Sequence, residues 1–236
     1  MPRPQPVILL PPSEGKAEGG HGAGWATGTM ADPALDGARR MVLRAARAAG
    51  AAPRRGATRP AMQRYTGVLY QELAWATLPA AARRRGEAQV RTVSGLWGLV
   101  APPDPIPSYR LKMSASLEGL GRLSTWWRPR LSPVLAELTE GRVVWDLLPQ
   151  EHEAAVDWSA CAPRHRVTVR FLDGRGRTVS HWNKLLKGSL VRWLLLEQPD
   201  GPDALGSFQH PLGYRLDRAA SSLDGPVGTV VLRAAS

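Results

Sequence analysis

Val7-Ile8-Leu9-Leu10 runs without a polar residue into Pro11-Pro12-Ser13-Glu14-Gly15-Lys16. Four consecutive apolar residues stopped by two prolines read as a short buried strand, because proline has no N–H to give a sheet ladder. A polar, glycine-containing loop follows at once, and the end of a strand is where mixed sheets place ligands. Two later stretches repeat the pattern. Residues 90–93 are a buried-type strand followed by Ser94-Gly95-Leu96-Trp97-Gly98, and residues 143–148 (Val-Val-Trp-Asp-Leu-Leu) are another.

The segments between these strands read mostly as helices. Asp32-Pro33 opens one over 34–49, with Asp32 as the cap and Pro33 in the first turn. Residues 62–77 form one or two helical pieces around Gly67, and 79–88, 123–138 and 152–158 form further helices. Residues 182–197 make a strong helix, with Leu186, Leu190, Trp193 and Leu194 on one face. Within 123–138, Trp126-Trp127 are adjacent, so one of the pair is expected to face outward. Residues 109–113 alternate in strand fashion. Residues 166–172 form a strand that turns at Asp173-Gly174 and returns through 177–180. Residues 213–217 and 227–232 are late strands. Strands and helices mix throughout with no linker long enough to force a cut, so the expected fold is α+β (mixed α/β), a single domain over residues 1–236.

Composition narrows the function. The chain has 236 residues, a formal charge of +11 and 43% hydrophobic residues, which is ordinary for a folded protein. One cysteine, Cys161, excludes a disulfide framework and a cysteine-rich zinc site. No apolar run approaches the ~20 residues of a membrane helix, so a cytoplasmic protein without a membrane partner is expected. The five histidines show no metal-ligand spacing. There is no dinucleotide fingerprint, nucleophile elbow or phosphate loop, and the expected cofactor and metal complement is none. A sequence pI near 10.9 favours polyanion partners.

The basic residues are unequal. Of 31 Lys and Arg only four are Lys: Lys16, Lys112, Lys184 and Lys187. Where Arg fills nearly every basic position, a Lys marks a place that suits a compact ammonium better than a planar, permanently charged fork. Lys184 and Lys187 fall in the first turns of the 182–197 helix, beside the chain's one asparagine, Asn183. A helix N-terminus already carries partial positive charge, so an anion is expected there, either a carboxylate such as Asp146 or a bound phosphate. Leu117-Glu118-Gly119-Leu120-Gly121 reads as a plain turn or as the hairpin of a helix-hairpin-helix.

Five ordered motifs together resemble the YaaA family of peroxide stress proteins. They are Leu9 to Lys16, Arg64-Tyr65-Thr66-Gly67-Val68-Leu69-Tyr70, Ser94 to Leu99 with Asp104 to Lys112, Val143 to Leu147, and Ser180-His181-Trp182-Asn183-Lys184 on to Arg192. The resemblance implies a mixed α/β domain with a positively charged cleft, DNA binding through a helix-hairpin-helix-like element, and a role in limiting iron and peroxide damage. Carried over by position, the cleft residues are Ser13, Lys16, Tyr65, Thr66, Tyr109, Arg110, Lys112, Asp146, Asn183, Lys184 and Lys187. The chain departs from the family around Leu148 to His152, where a histidine stands in place of the usual tyrosine.

Two functions follow. In the first, the cleft binds nucleic acid, duplex DNA, and Arg110 and the four lysines contact phosphates. In the second, a diverged enzyme acts on a small anionic or nucleobase-like substrate. Ser13, Lys16, Tyr65, Asp146 and Lys184 then supply the chemistry, and Thr66, Tyr109, Arg110, Lys112, Asn183 and Lys187 hold the ligand. Both require the four lysines to meet around one hollow. The oligomeric state is left open.

Overall fold

The computed structural model describes residues 4–51, 53, 57–179 and 182–235. Seven strands form one sheet: β1 (Val7–Leu10), β2 (Val90–Ser94), β3 (Gly98–Val100), β4 (Val143–Asp146), β5 (His165–Leu172), β6 (Tyr214–Leu216) and β7 (Val227–Ala234). Their order across the sheet is β6-β7-β5-β4-β1-β2-β3. The five inner strands are parallel, and the two edge strands, β3 and β6, are antiparallel to their neighbours.

The apolar runs explain the centre. Every residue of β1 is fully buried, and β2 and β4 are buried along their whole length. Strands covered on both faces carry continuous rather than alternating hydrophobicity. Parallel strands need long crossovers, and seven helices occupy the connections: α1 (Asp36–Ala48), α2 (Ala61–Arg64), α3 (Val68–Leu73), α4 (Ala80–Gln89), α5 (Leu123–Thr139), α6 (Gln150–Glu153) and α7 (Asn183–Glu197). One continuous hydrophobic core joins the sheet to its helices, as an α+β protein with a mixed sheet requires.

Several local expectations need correction. Residues 109–113 do alternate, with Tyr109, Leu111 and Met113 buried and Arg110 and Lys112 exposed. They are nevertheless not a strand. The segment crosses over the β2–β3 turn, where the Lys112 carbonyl oxygen lies 2.8 Å from the position a Cβ on Gly95 would take, so no neighbouring strand offers it a ladder. The 152–158 helix is displaced to α6. The return after Asp173 makes a single bridge, Leu172 to Thr178, and its last residue, Ser180, lies outside the described residues, as does His181. Asp32 stands at the N-cap of a 3-10 turn over Pro33–Leu35 that leads into α1, with Pro33 first as expected, but its side chain makes no capping bond and its carboxylate pairs instead with Arg91 at 3.3 Å. Trp126 and Trp127 are both buried, packed edge to face at 5.0 Å, with the Arg130 guanidinium 3.8 Å from the Trp126 ring centroid.

The 117–121 segment is a β-hairpin. Ser116–Leu117 pairs with Gly121–Arg122, and Gly119 and Gly121 take φ of 72° and 69°. A helix follows at Leu123, but none precedes within residues 107–115. The stretch is therefore not a helix-hairpin-helix.

Two buried arginines tie loops to the frame. Arg39, fully buried on α1, donates to the Trp97 and Leu99 carbonyls at 3.0 and 2.9 Å, to Asp32 O at 2.9 Å, and to Asp36 at 2.7 Å. Arg64, at the end of α2, donates to Ile106 O at 3.1 Å, Gly19 O at 2.9 Å, Ala57 O at 3.1 Å, and Ala17 O. The four-residue α2 thus anchors the loop that follows β1.

α3 and α7 approach closely at Gly188, where a Cβ would run into the Leu69 carbonyl and come within 2.8 Å of the Glu72 Cβ. Gly188→Ala is expected to destabilise the protein by about 1–3 kcal/mol, the usual cost of overpacking a tight contact. A urea melt measures it. A midpoint shift with an unchanged m-value is the expected form, and an unshifted midpoint would refute the close crossing.

Candidate functional site

The connection after β1 leads to β2 on one side, while the chain later crosses back to place β4 on the other. The loops leaving β1 and β4 therefore diverge. A crevice outside the carboxyl ends of strands at such a switch point is the usual ligand position in α/β sheets. The polar loop Pro11 to Lys16, the Asp146–Leu148 turn and Ser94 all lie at these strand ends.

Lys16 is half-buried at these strand ends. Its Nζ donates to Ser13 O at 2.7 Å and lies 4.1 Å from the Tyr109 ring centroid and 5.7 Å from that of Tyr65. A backbone bridge to Tyr65, with Ala17 N–H donating to Arg64 O and Thr66 N–H to Gly15 O, holds the loop in place. The Ser13 hydroxyl accepts the Gly67 N–H at 2.7 Å, which fixes the start of α3.

Beneath the amine runs a buried hydroxyl chain. Tyr65 and Tyr109 share a hydrogen bond of 3.0 Å, and Tyr109 and Ser94 one of 2.7 Å. Ser94 Oγ also accepts the Leu96 and Trp97 N–H groups. Tyr70 donates to Pro11 O at 2.8 Å and contacts the Thr92 hydroxyl. Burial pushes all three phenols up, Tyr109 to about 12, so they stay neutral donors. Burial pushes Lys16 down to about 8, the Glu14 carboxylate opposes that, and Arg110 and Arg64 reinforce it.

One carboxylate feels the charge of three lysines. Lys112 pairs with Glu14 at 3.2 Å, and the charges of Lys112, Lys184 and Lys16 together hold the Glu14 carboxyl below its ordinary range. Lys112, Lys184, Arg110 and Thr66 are exposed. The fourth lysine turns along the strand ends: Lys187 Nζ donates to Leu147 O at 2.8 Å. Burial lowers its pKa and the nearby Asp146 opposes this. Asn183 is the first residue of α7, on the same turn as Lys184.

Asp146 is claimed by a residue the sequence reading did not single out. Arg166, on β5, donates to Asp146 Oδ2 through Nε at 2.9 Å and Nη2 at 2.6 Å, and also pairs with Glu153. Its guanidinium lies 4.1 Å from the Trp158 ring centroid. Asp146 Oδ1 accepts the Leu148 N–H. Burial raises Asp146 even so, with Arg166 opposing. Arg166 was hidden in a strand where basic and apolar residues simply alternate. Ser94 and Arg64 sit inside the quoted motifs, and only contact reveals their roles.

A second constellation has the residue types of a hydrolase without its proton path. His210 Nε2 lies 3.0 Å from Ser189 Oγ, and Ser189 donates to Glu72 at 2.7 Å. The Leu212 N–H donates to His210 Nδ1 at 3.1 Å. The ring proton therefore sits on Nε2 and points at the serine, so the imidazole cannot accept the serine proton. Two surface hollows, of about 350 Å³ near His21 and Arg59 and about 380 Å³ between α1 and the 117–121 hairpin, lie away from the lysines. Among the described residues no three His, Cys, Asp or Glu side chains are grouped to hold a metal ion, and no helix is long and apolar enough to cross a membrane.

A family model for the peroxide stress protein YaaA matches residues 37–220. A UPF0246 protein of Streptomyces coelicolor is 37% identical, covering 93% of this chain and 95% of its own length. UPF0246 proteins of Corynebacterium glutamicum and Corynebacterium efficiens are 30% and 32% identical, covering 84% and 80% of this chain and 88% and 84% of their own.

With lysine methylenes labelled, four carbon signals follow the four ammonium groups. Lys16 is expected to titrate near pH 8. Glu14→Gln is expected to lower that midpoint, because the carboxylate favours the charged amine. An unmoved or raised midpoint would place Glu14 elsewhere.

Proposed function

The chain belongs to the YaaA family of peroxide stress proteins, and on that premise we propose that it binds the phosphate backbone of duplex DNA at the carboxyl ends of its central strands. The observation that carries this reading is the exposed Lys112–Glu14 ion pair, on whose carboxylate the charges of Lys184 and Lys16, from two further segments, also act. Glu14 is itself exposed and stands where a phosphate oxygen would compete for the same ammonium groups. Arg110 joins the rim. The arginine-rich surface of a +11 chain adds sequence-independent attraction. A role in limiting iron and peroxide damage goes with this binding, and the family's description names peroxide stress.

One observation favours a second reading, an enzyme acting on a small anion in the same crevice. Phosphate neutralisation at a rim calls for exposed, fully charged cations. Lys16 is instead drawn inward onto two tyrosines and a buried hydroxyl chain.

Anisotropy of a labelled duplex at rising salt tests the first reading. Affinity should fall log-linearly with salt. The double variant Lys112→Ala/Lys184→Ala should flatten the slope by nearly 2, at about 0.9 per phosphate contact. Glu14→Gln should tighten binding. Absent or salt-insensitive binding, or an unchanged slope in the double variant, would refute it.

A further inference from the structure

We infer that Lys16 is a covalent amine site for a small carbonyl-bearing anion, whose aldehyde or ketone carbon it captures as an imine while Lys112, Lys184 and Arg110 hold the anionic end. This rests on the second reading above and gives it a substrate class.

Placement separates Lys16 from the other three lysines. Lys112 is exposed and already ion-paired. Lys184 is exposed on the first turn of α7. Lys187 directs its amine to Leu147 O, beside Asp146, which favours its charged form. Lys16 alone combines a half-buried amine, a single hydrogen bond that orients it, and two neutral phenols packed against it. Three cations stand nearby. Arg110 is close enough to disfavour its charge, and Lys112 and Lys184 meet it around Glu14. An anion seated there would bring an attached carbonyl within reach of Nζ.

The step balances without a co-reactant. The ammonium gives up a proton, and the freed amine attacks the carbonyl carbon to form a carbinolamine. The carbinolamine oxygen takes up protons and leaves as water. Overall, ammonium plus carbonyl gives iminium plus water. The neutral amine is the limiting species, and a lysine held near 8 has a neutral fraction at pH 7 on the order of a hundredfold above that of an ordinary lysine. Tyr65 and Tyr109 remain protonated, their hydroxyls engaged with each other and with Ser94, so they add no competing negative charge beside the amine.

The chain's four lysines make the test direct. The wild-type protein is treated with pyridoxal 5′-phosphate, as a reporter aldehyde bearing an anion, and reduced with cyanoborohydride. The modified lysine is then located by peptide mass mapping. Lys16 should carry the label at least about tenfold above Lys112 and Lys184, against their greater exposure, and with a yield that rises towards pH 8. Pyridoxal without the phosphate should label Lys16 far less. Pyridoxine 5′-phosphate, which has no carbonyl, should bind and protect it. Lys16→Arg should abolish the adduct, and the wild-type map stands whether or not that variant folds. Labelling that follows exposure, or equal labelling by pyridoxal, overturns the proposal. If pyridoxine 5′-phosphate binds but no Lys16 imine forms, the covalent site falls and the small-anion reading survives. If neither compound binds, both fall.

Discussion

The parallel alignment of five inner strands governs everything that follows. Parallel neighbours end at the same side of a sheet, so the loops after β1, β2 and β4 all leave from one edge. β1 sits between β2 and β4 and is fully buried. The chain's connections part on either side of it, the kind of switch point where α/β sheets usually bind ligands. Ser13, Lys16, Ser94 and Asp146 lie in or next to those loops, the 107–115 segment brings Tyr109, Arg110 and Lys112, and the start of α7 brings Asn183 and Lys184.

The crevice has two depths with different electrostatics. On the rim, Lys112, Lys184 and Arg110 are exposed, and the Lys112–Glu14 pair is weak in free energy because water screens it. Deeper, the Lys16 amine lies on Tyr109 above a hydroxyl chain ending at Ser94. Burial there costs the ammonium hydration, and its pKa falls. The proposed duplex binding draws on the rim and on Lys16, and the proposed amine chemistry draws on Lys16 alone. One site can therefore support both readings without sharing all its groups.

Much of this was legible in the residues. Apolar runs marked β1 and β4, because strands buried on both faces tend to be continuously hydrophobic, while β2 is buried with Arg91 and Thr92 among its residues. The scarcity of lysine drew attention to four ammonium groups, of which Lys16 and Lys187 make their hydrogen bonds at the strand ends. Other features were not legible. Residues 109–113 have a strand's alternation but no strand to pair with, and a pattern of burial cannot reveal a missing neighbour. Trp126 is buried because Arg130 covers it, a contact local periodicity does not encode. Arg166 was indistinguishable from the other arginines of its strand until β5 was set beside β4. The 117–121 glycines suit any tight turn, and only the segment before them separates a β-hairpin from a helix-hairpin-helix.

The account's central claim is that ammonium groups far apart in the sequence form one anion site. Lysine-selective carbon labelling gives one methylene signal per lysine, and a short duplex is titrated in while the signals are followed. The account predicts that the Lys16, Lys112 and Lys184 signals move together and saturate along one binding curve. Signals that shift independently, at unrelated concentrations, or only at Lys112 and Lys184 while Lys16 stays fixed, would contradict it.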